Sequence, residues 1–308
     1  MLKRKLLRSG LFANGLLIIL AAVHATGTQQ TSGASKSIND STIQWVSFDE
    51  NLLQFYGLTE ITSAEAPKIG LRKEAMKFAN TYLAKNSELL QKIKEKHPSY
   101  FRIMDSVFKK YDLPMELKHL AIIESQLNTK ARSRVGALGP WQFMPTTARF
   151  LKLKVTSRYD ERTHFYKSTV AAAKYLRDLH KLFDDWLLVI AAYNSGPGPV
   201  YKAIKKSGSR NFWKLQNFLP AETRGHVKKF ISTHYYYEGR GGVTTSTKQE
   251  VNMHRKTMLA FAEKHNKLLK EKQAELLAAN DSTADNNSAK EDKIVAKADI
   301  AGLKPEEK

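Results

Sequence analysis

The residues with the clearest chemical meaning lie in one stretch, 121–145, which reads AIIESQLNTKARSRVGALGPWQFMP. Glu124 is its only acid, and no Asp or Glu follows until Asp160. It stands at the end of an apolar helical pattern, before a basic and then glycine-rich segment. A Glu on a helix is most often a solvated surface group. Ile122 and Ile123, the helix-end position and the loop directly after set this one apart. The negative end of the helix dipole and an apolar flank both suit a group that must carry a proton as a general acid. Most glycosidases use two carboxylates. Here the neighbouring sequence supplies one, with Asp160 and Glu161 far along the chain. That fits a reaction in which the substrate supplies the second group, or one in which the fold brings in a distant acid.

Other residues have two readings each. Ser133 is a surface serine or a polar contact, and Gly136 and Gly139 mark a turn or a close backbone approach. Trp141, Phe143 and Met144 are core residues or the aromatic side of a sugar groove. Tyr193 and Asn194 end a helix before the breaker Ser195-Gly196-Pro197-Gly198, as a packed ring and a cap. Glu222 reads as a first-turn helix acid.

The elements that must place these residues read as helices. Met76, Ala79, Leu83, Leu90 and Ile93 repeat at helical spacing up to Lys96, and Phe101, Met104, Val107, Phe108 and Tyr111 give a second helix. Leu117, Leu120, Ala121 and Leu127 make an inward stripe, predicting a helix from Pro114 to Leu127 that carries Glu124. Ser168 is the expected cap of a helix through Leu182, and Asp184 or Asp185 of the next. Helices from Pro199 to Ser207, from Asn211 to Phe218 and from Pro220 to Glu238 follow, then a lysine-, glutamate- and leucine-rich one from Val251 to Ala279. A polar tail from Asn280 reads as disordered. No core segment reads as a strand, so the predicted class is all-α.

Bulk properties narrow the setting. The 308 residues carry a formal net charge of +20 and no cysteine. The absent cysteine excludes a disulfide framework, a thiolate zinc site, a thiol nucleophile and a lipoprotein anchor. The positive charge favours a polyanionic partner. It is spread along the chain without a nucleic-acid-binding motif, so nucleic acid is not expected as the partner. Lys3, Arg4, Lys5 and Arg8 precede an apolar run from Leu11 to Val23, and Val23-His24-Ala25 offers a cleavage site. This is a secretory signal pattern, with an uncleaved anchor as the alternative, although the run is shorter than the ~20 residues of a spanning helix.

The motifs together resemble a family. Glu124-Ser125, Ser133, Gly136-Ala137, Gly139, Gln142, Met144-Pro145 and Thr147-Ala148 are similar to the lysozyme-like catalytic domain of soluble lytic murein transglycosylases. Ala192-Tyr193-Asn194-Ser195-Gly196-Pro197-Gly198 resembles its second motif. Trp141-Gln142, the run DERTHFYKSTVAAAKYL from Asp160 and LPAET from Leu219 look like the membrane-bound lytic murein transglycosylase D branch. The resemblance covers Leu113 to Tyr237. It implies a goose-lysozyme-type helical domain around a glycan groove, with peptidoglycan strands as partner and no cofactor or metal. Glu124 would act as the single acid/base, closing a 1,6-anhydro ring on N-acetylmuramic acid with help from that sugar's acetamido group. Ser133, Gly139, Gln142, Met144, Tyr193 and Asn194 would bind substrate or line the groove, Tyr193 near Glu124. Two departures stand out: Pro140 replaces a larger aliphatic residue, and Gly225-His226 replaces a pair ending in tyrosine.

The expected division is a signal peptide (1–25), a linker (26–70), a helical extension (71–112), the catalytic domain (113–240), and a basic helix with a disordered charged tail (241–308). The expected site of action is the periplasm or cell envelope. A monomer is expected, with the basic C-terminal part meeting an anionic envelope surface or being merely solvated. A hydrolytic muramidase on the same fold and a non-catalytic wall-binding protein are the alternatives.

Overall fold

A computed structural model describes the backbone of residues 66–301 and the side chains through residue 278. The secretory signal pattern and most of the expected linker lie outside the described residues. Ten α-helices are described: α1 (Lys73–Lys96), α2 (Pro98–Lys110), α3 (His119–Ser125), α4 (Pro145–Phe150), α5 (Phe165–Phe183), α6 (Trp186–Ser195), α7 (Pro197–Ser207), α8 (Phe212–Leu215), α9 (Ala221–Glu238) and α10 (Lys248–Ala301). Among the described residues only isolated bridges, such as Leu138 with Phe143, stand in for β structure. The all-α expectation holds for them.

The centre is α6. Every residue from Trp186 to Ala192 is buried, the mark of a helix surrounded on all sides. It packs against α5, α7 and α9, and α9 also lies along α1 and α3. Asp185 caps α6 by accepting the Leu187 and Leu188 amides at 2.9 and 3.3 Å. Its other oxygen accepts the Lys248 amide at 2.7 Å, joining the start of α10 to the start of α6.

Among the boundaries that differ from the expectation, three have clear physical reasons. The helix predicted from Pro114 is a 3-10 turn (Met115–Lys118) followed by α3, which stops at Ser125. Gln126 and Leu127 both take left-handed backbone, at φ 57° and 64°, a reversal that no periodicity announces. Ser168 does not cap α5. It is buried inside the helix, donating to the His164 and Phe165 carbonyls, and His164 holds the cap position. Beyond Asn280, where disorder is expected, α10 continues to Ala301. No Pro or Gly interrupts it, and Lys–Glu pairs one turn apart, such as Lys267 with Glu271, support its surface.

Two buried histidines meet where α3, the helix that carries Glu124, packs against α9. His119 on α3 and His234 on α9 have ring centroids 5.7 Å apart, and His119 stacks on Tyr237 at 5.1 Å. Burial pushes His119 far below the ordinary histidine range, with the neighbouring His234, Lys118 and Lys94 adding to it. Burial, aided by Arg240, pushes His234 down to about 3. Both are depressed in the fold, so their stabilising share is complete above the unfolded value near 6.5 and is lost as pH falls. His234 removes about 2 kcal/mol by pH 5, and His119 acts in the same direction. Asp185, raised to about 6 by burial, acts oppositely. It takes up its proton earlier in the fold and returns about 1 kcal/mol over the same window. Urea unfolding is expected to show lower stability at pH 5 than at pH 7, with a shallower fall for His234→Asn. Equal stability at both pH values would refute this.

Candidate active site

Glu124 is the penultimate residue of α3, whose His119, Leu120, Ala121 and Ile122 are all buried. Anchored by that apolar turn, its carboxyl emerges at the helix end with 15% of the side chain exposed. Oε1 lies 2.8 Å from Nε2 of His226 on α9.

The loop after α3 folds back over the helix end. Ser125 Oγ donates to the Pro140 carbonyl at 2.8 Å, so the residue next to Glu124 holds the far side of the loop. Ser133 and Ala137 close a turn: the Ala137 amide donates to Ser133 Oγ, and the Ser133 amide to the Ala137 carbonyl, each at 2.9 Å. The Gln142 side-chain amide donates to the Ala131 and Gly139 carbonyls at 2.9 and 2.8 Å. Trp141 is fully buried, and its indole N–H donates to Thr169 at 3.0 Å. Met144 is 40% exposed at the start of α4.

A buried arginine locks this loop. The Arg162 guanidinium takes both oxygens of Asp160, with Nη2–Oδ2 at 2.7 Å, and donates to the Gly136 and Phe143 carbonyls at 2.9 Å each. Bidentate pairing of this kind fixes direction as well as energy. The pair holds the Asp160 carboxyl below its ordinary range through the arginine hydrogen bond. Glu161 pairs with Lys167 at 2.6 Å and accepts the Lys154 amide. Both acids that follow Glu124 in sequence are thus engaged in structure.

The second motif closes the site from α6. The Tyr193 phenol donates to the Trp141 carbonyl at 2.8 Å and packs beside Phe143 and Tyr175, at 6.1 and 5.7 Å between ring centroids. Burial raises the Tyr193 phenol well above its usual value, and the charge of Glu124 raises it further. Asn194 accepts from the Thr223 hydroxyl at 2.8 Å, tying the end of α6 to α9 one turn before His226.

The structure therefore gathers Glu124, Tyr193, and the loop holding Ser133, Gly139 and Gln142, while Asn194 is tied to α9 through Thr223. Glu222 is exposed in the first turn of α9. Sequence reasoning did not find the His226 contact or the Arg162 clamp. The signal for the first was the unusual Gly225-His226 pair, and for the second the Asp160–Arg162 spacing. Among the described residues no group of His, Asp and Glu is placed to hold a metal ion.

A family model described as "Transglycosylase SLT domain" matches residues 105–216. Membrane-bound lytic murein transglycosylase D of Escherichia coli strain K12 is 42% identical over 156 residues, 49% of this chain and 34% of that protein. A putative tributyltin chloride resistance protein of an Alteromonas species is 40% identical over 132 residues, 42% of this chain and 63% of that protein. The solved 70 kDa soluble lytic transglycosylase of Escherichia coli aligns with TM-score 0.39 and 28% identity over 46% of this chain and 25% of that one. The match spans about a third of the length of the first of these relatives. Glu124, its glycine-bearing loop and the Tyr193 motif all fall within residues 105–216, the segment that is similar to the transglycosylase SLT domain.

Proposed function

We propose that this chain is a peptidoglycan lytic transglycosylase, acting on the bond between N-acetylmuramic acid and N-acetylglucosamine with Glu124 as its single acid/base. The observation that carries the reading is the isolation of Glu124. It is half-buried and engaged by a histidine, while Asp160 and Glu161 are held in ion pairs elsewhere. Its proton goes to the glycosidic oxygen as the bond from C1 breaks. The carboxylate then takes the C6 hydroxyl proton as that oxygen bonds C1 and closes the 1,6-anhydro ring. The acetamido group stabilises the charge on C1 between these events. The protein needs only to hold one carboxyl and shape the sugar around it.

Within this reading residues 113–240 are the catalytic domain, with a lysozyme-like glycan groove. Met144, half-exposed beside the loop, lines it. Ser133, Gly139 and Gln142 set the loop's shape through their backbone bonds, and Tyr193 and Asn194 brace its other side. The basic leader directs the chain to the periplasm or envelope, where it acts as a monomer. The net charge of +20 suits an anionic wall or envelope surface. The test is digestion of purified sacculi followed by borohydride. An anhydro ring leaves no free reducing end, so the released sugars should resist reduction. Sugars that are fully reduced would overturn the reading.

A further inference from the structure

His226 and Glu124 are 102 residues apart in sequence, yet α9 lays the imidazole against the carboxyl with Nε2 2.8 Å from Oε1. Only 10% of the His226 side chain and 15% of Glu124 are exposed. The other ring nitrogen, Nδ1, is buried and meets no hydrogen-bond partner among the described residues. The stripe Thr223, His226, Val227 and Phe230 is buried as one face of α9, and the Thr223–Asn194 bond fixes that face one turn before the histidine.

These contacts assign the ring proton. An ionised carboxylate can only accept hydrogen bonds. A ring protonated at Nδ1 would turn the Nε2 lone pair toward that carboxylate and bury an N–H with no acceptor, which is unfavourable on both counts. The proton therefore sits on Nε2, and His226 donates to Oε1. When Glu124 is itself protonated, the oxygen that accepts from Nε2 is its carbonyl oxygen, so the acid proton sits on Oε2.

We infer that His226 is a positioning residue that holds Oε1 and thereby makes Oε2 the atom that gives and takes the proton. The inference rests on the transglycosylase reading of this site. One proton leaves Oε2 for the glycosidic oxygen as its bond to C1 breaks, and one returns to Oε2 from the C6 hydroxyl as that oxygen bonds C1. A hydrogen bond at Oε1 that persists through both steps keeps the carboxyl from rotating between them, and small misplacements of a reacting group cost rate rather than binding.

The test compares His226→Phe, which keeps a ring but no donor, with His226→Gln, whose amide nitrogen reaches the place of Nε2. The phenylalanine variant is expected to lose about 10²-fold in kcat with KM nearly unchanged, and the glutamine variant to recover most of that loss. Nitrogen NMR of the full chain is expected to show the His226 ring protonated at Nε2, with a signal that shifts in Glu124→Gln. Undiminished kcat in His226→Phe, an equal loss in both variants, or a ring protonated at Nδ1 would overturn the inference. If the phenylalanine variant fails to fold, the glutamine variant and the NMR signal decide. A wild-type chain that yields no anhydro sugar would instead overturn the transglycosylase reading, while the ring signal still judges the His226–Glu124 bond by itself.

Discussion

Glu124→Gln is expected to slow sugar release from peptidoglycan by about 10³-fold, within the ~10²–10⁴ range of general acid–base catalysis. The glutamine keeps the shape of the carboxyl and can still offer its carbonyl oxygen to Nε2 of His226, so the packing of α3 against α9 should survive. What it removes is the proton that can be lost and regained. The proposed reaction uses that group twice in each turnover, and the two acids that follow it in sequence are engaged elsewhere. Asp160 is clamped to Arg162 at 2.7 Å and Glu161 to Lys167 at 2.6 Å. Rate of release, binding to sacculi by sedimentation, and melting temperature should be measured together. Loss of rate with binding and melting unchanged is the expected pattern. A rate within about tenfold of wild type, well inside the range expected for a lost acid, would remove Glu124 from the central role.

Gly139→Ala should produce the largest loss of stability for a change of one methyl group. A Cβ at this position would stand 2.0 Å from the Arg162 carbonyl oxygen and 2.7 Å from its carbonyl carbon. Both are backbone atoms, which cannot swing aside. Residue 162 cannot retreat either, because its side chain is bound to Asp160 and to the Gly136 and Phe143 carbonyls. The backbone at Gly139 also has φ of +87°, a region that side chains resist. The expected loss is about 4 kcal/mol or more, at the upper end for single substitutions. Gly136→Ala is the control. Its φ is +92°, but nothing lies within 4 Å of the added atom, so only the backbone strain of about 1 kcal/mol applies. Urea unfolding that gives equal losses for the two alanines would contradict the clamp.

The contrast between these positions shows what was legible beforehand. Glu124, its loop and the Tyr193 motif are local patterns of residue type and spacing, and each lies in a contiguous segment. The helices follow from apolar periodicity, and the inward residues Leu117, Leu120, Ala121 and Leu127 are all buried. Gly139 was singled out by its residue type, yet the reason for it is a carbonyl 23 positions away, visible only once the chain has folded. His226 reads in sequence as a departure within a helix. Its importance comes from the packing of α9 across α3, which no local period encodes. The left-handed pair Gln126 and Leu127 ends α3 without glycine or proline, so the stop had no local signal. The charged tail failed in the opposite sense: its polar composition hid an uninterrupted run of residues that tolerate a helix.

The central claim is that the muramic acid's own C6 hydroxyl, and not water, displaces the leaving sugar. The most direct measurement is digestion of purified peptidoglycan in heavy-oxygen water, with mass spectrometry of the released sugars. The account predicts fragments lighter by one water than their reducing counterparts and free of the heavy oxygen. Heavy oxygen bonded to C1 of the released muramic acid would show that water entered the reaction. The site would then belong to a hydrolase, and a second carboxylate, with Glu222 the first to test, would have to be sought.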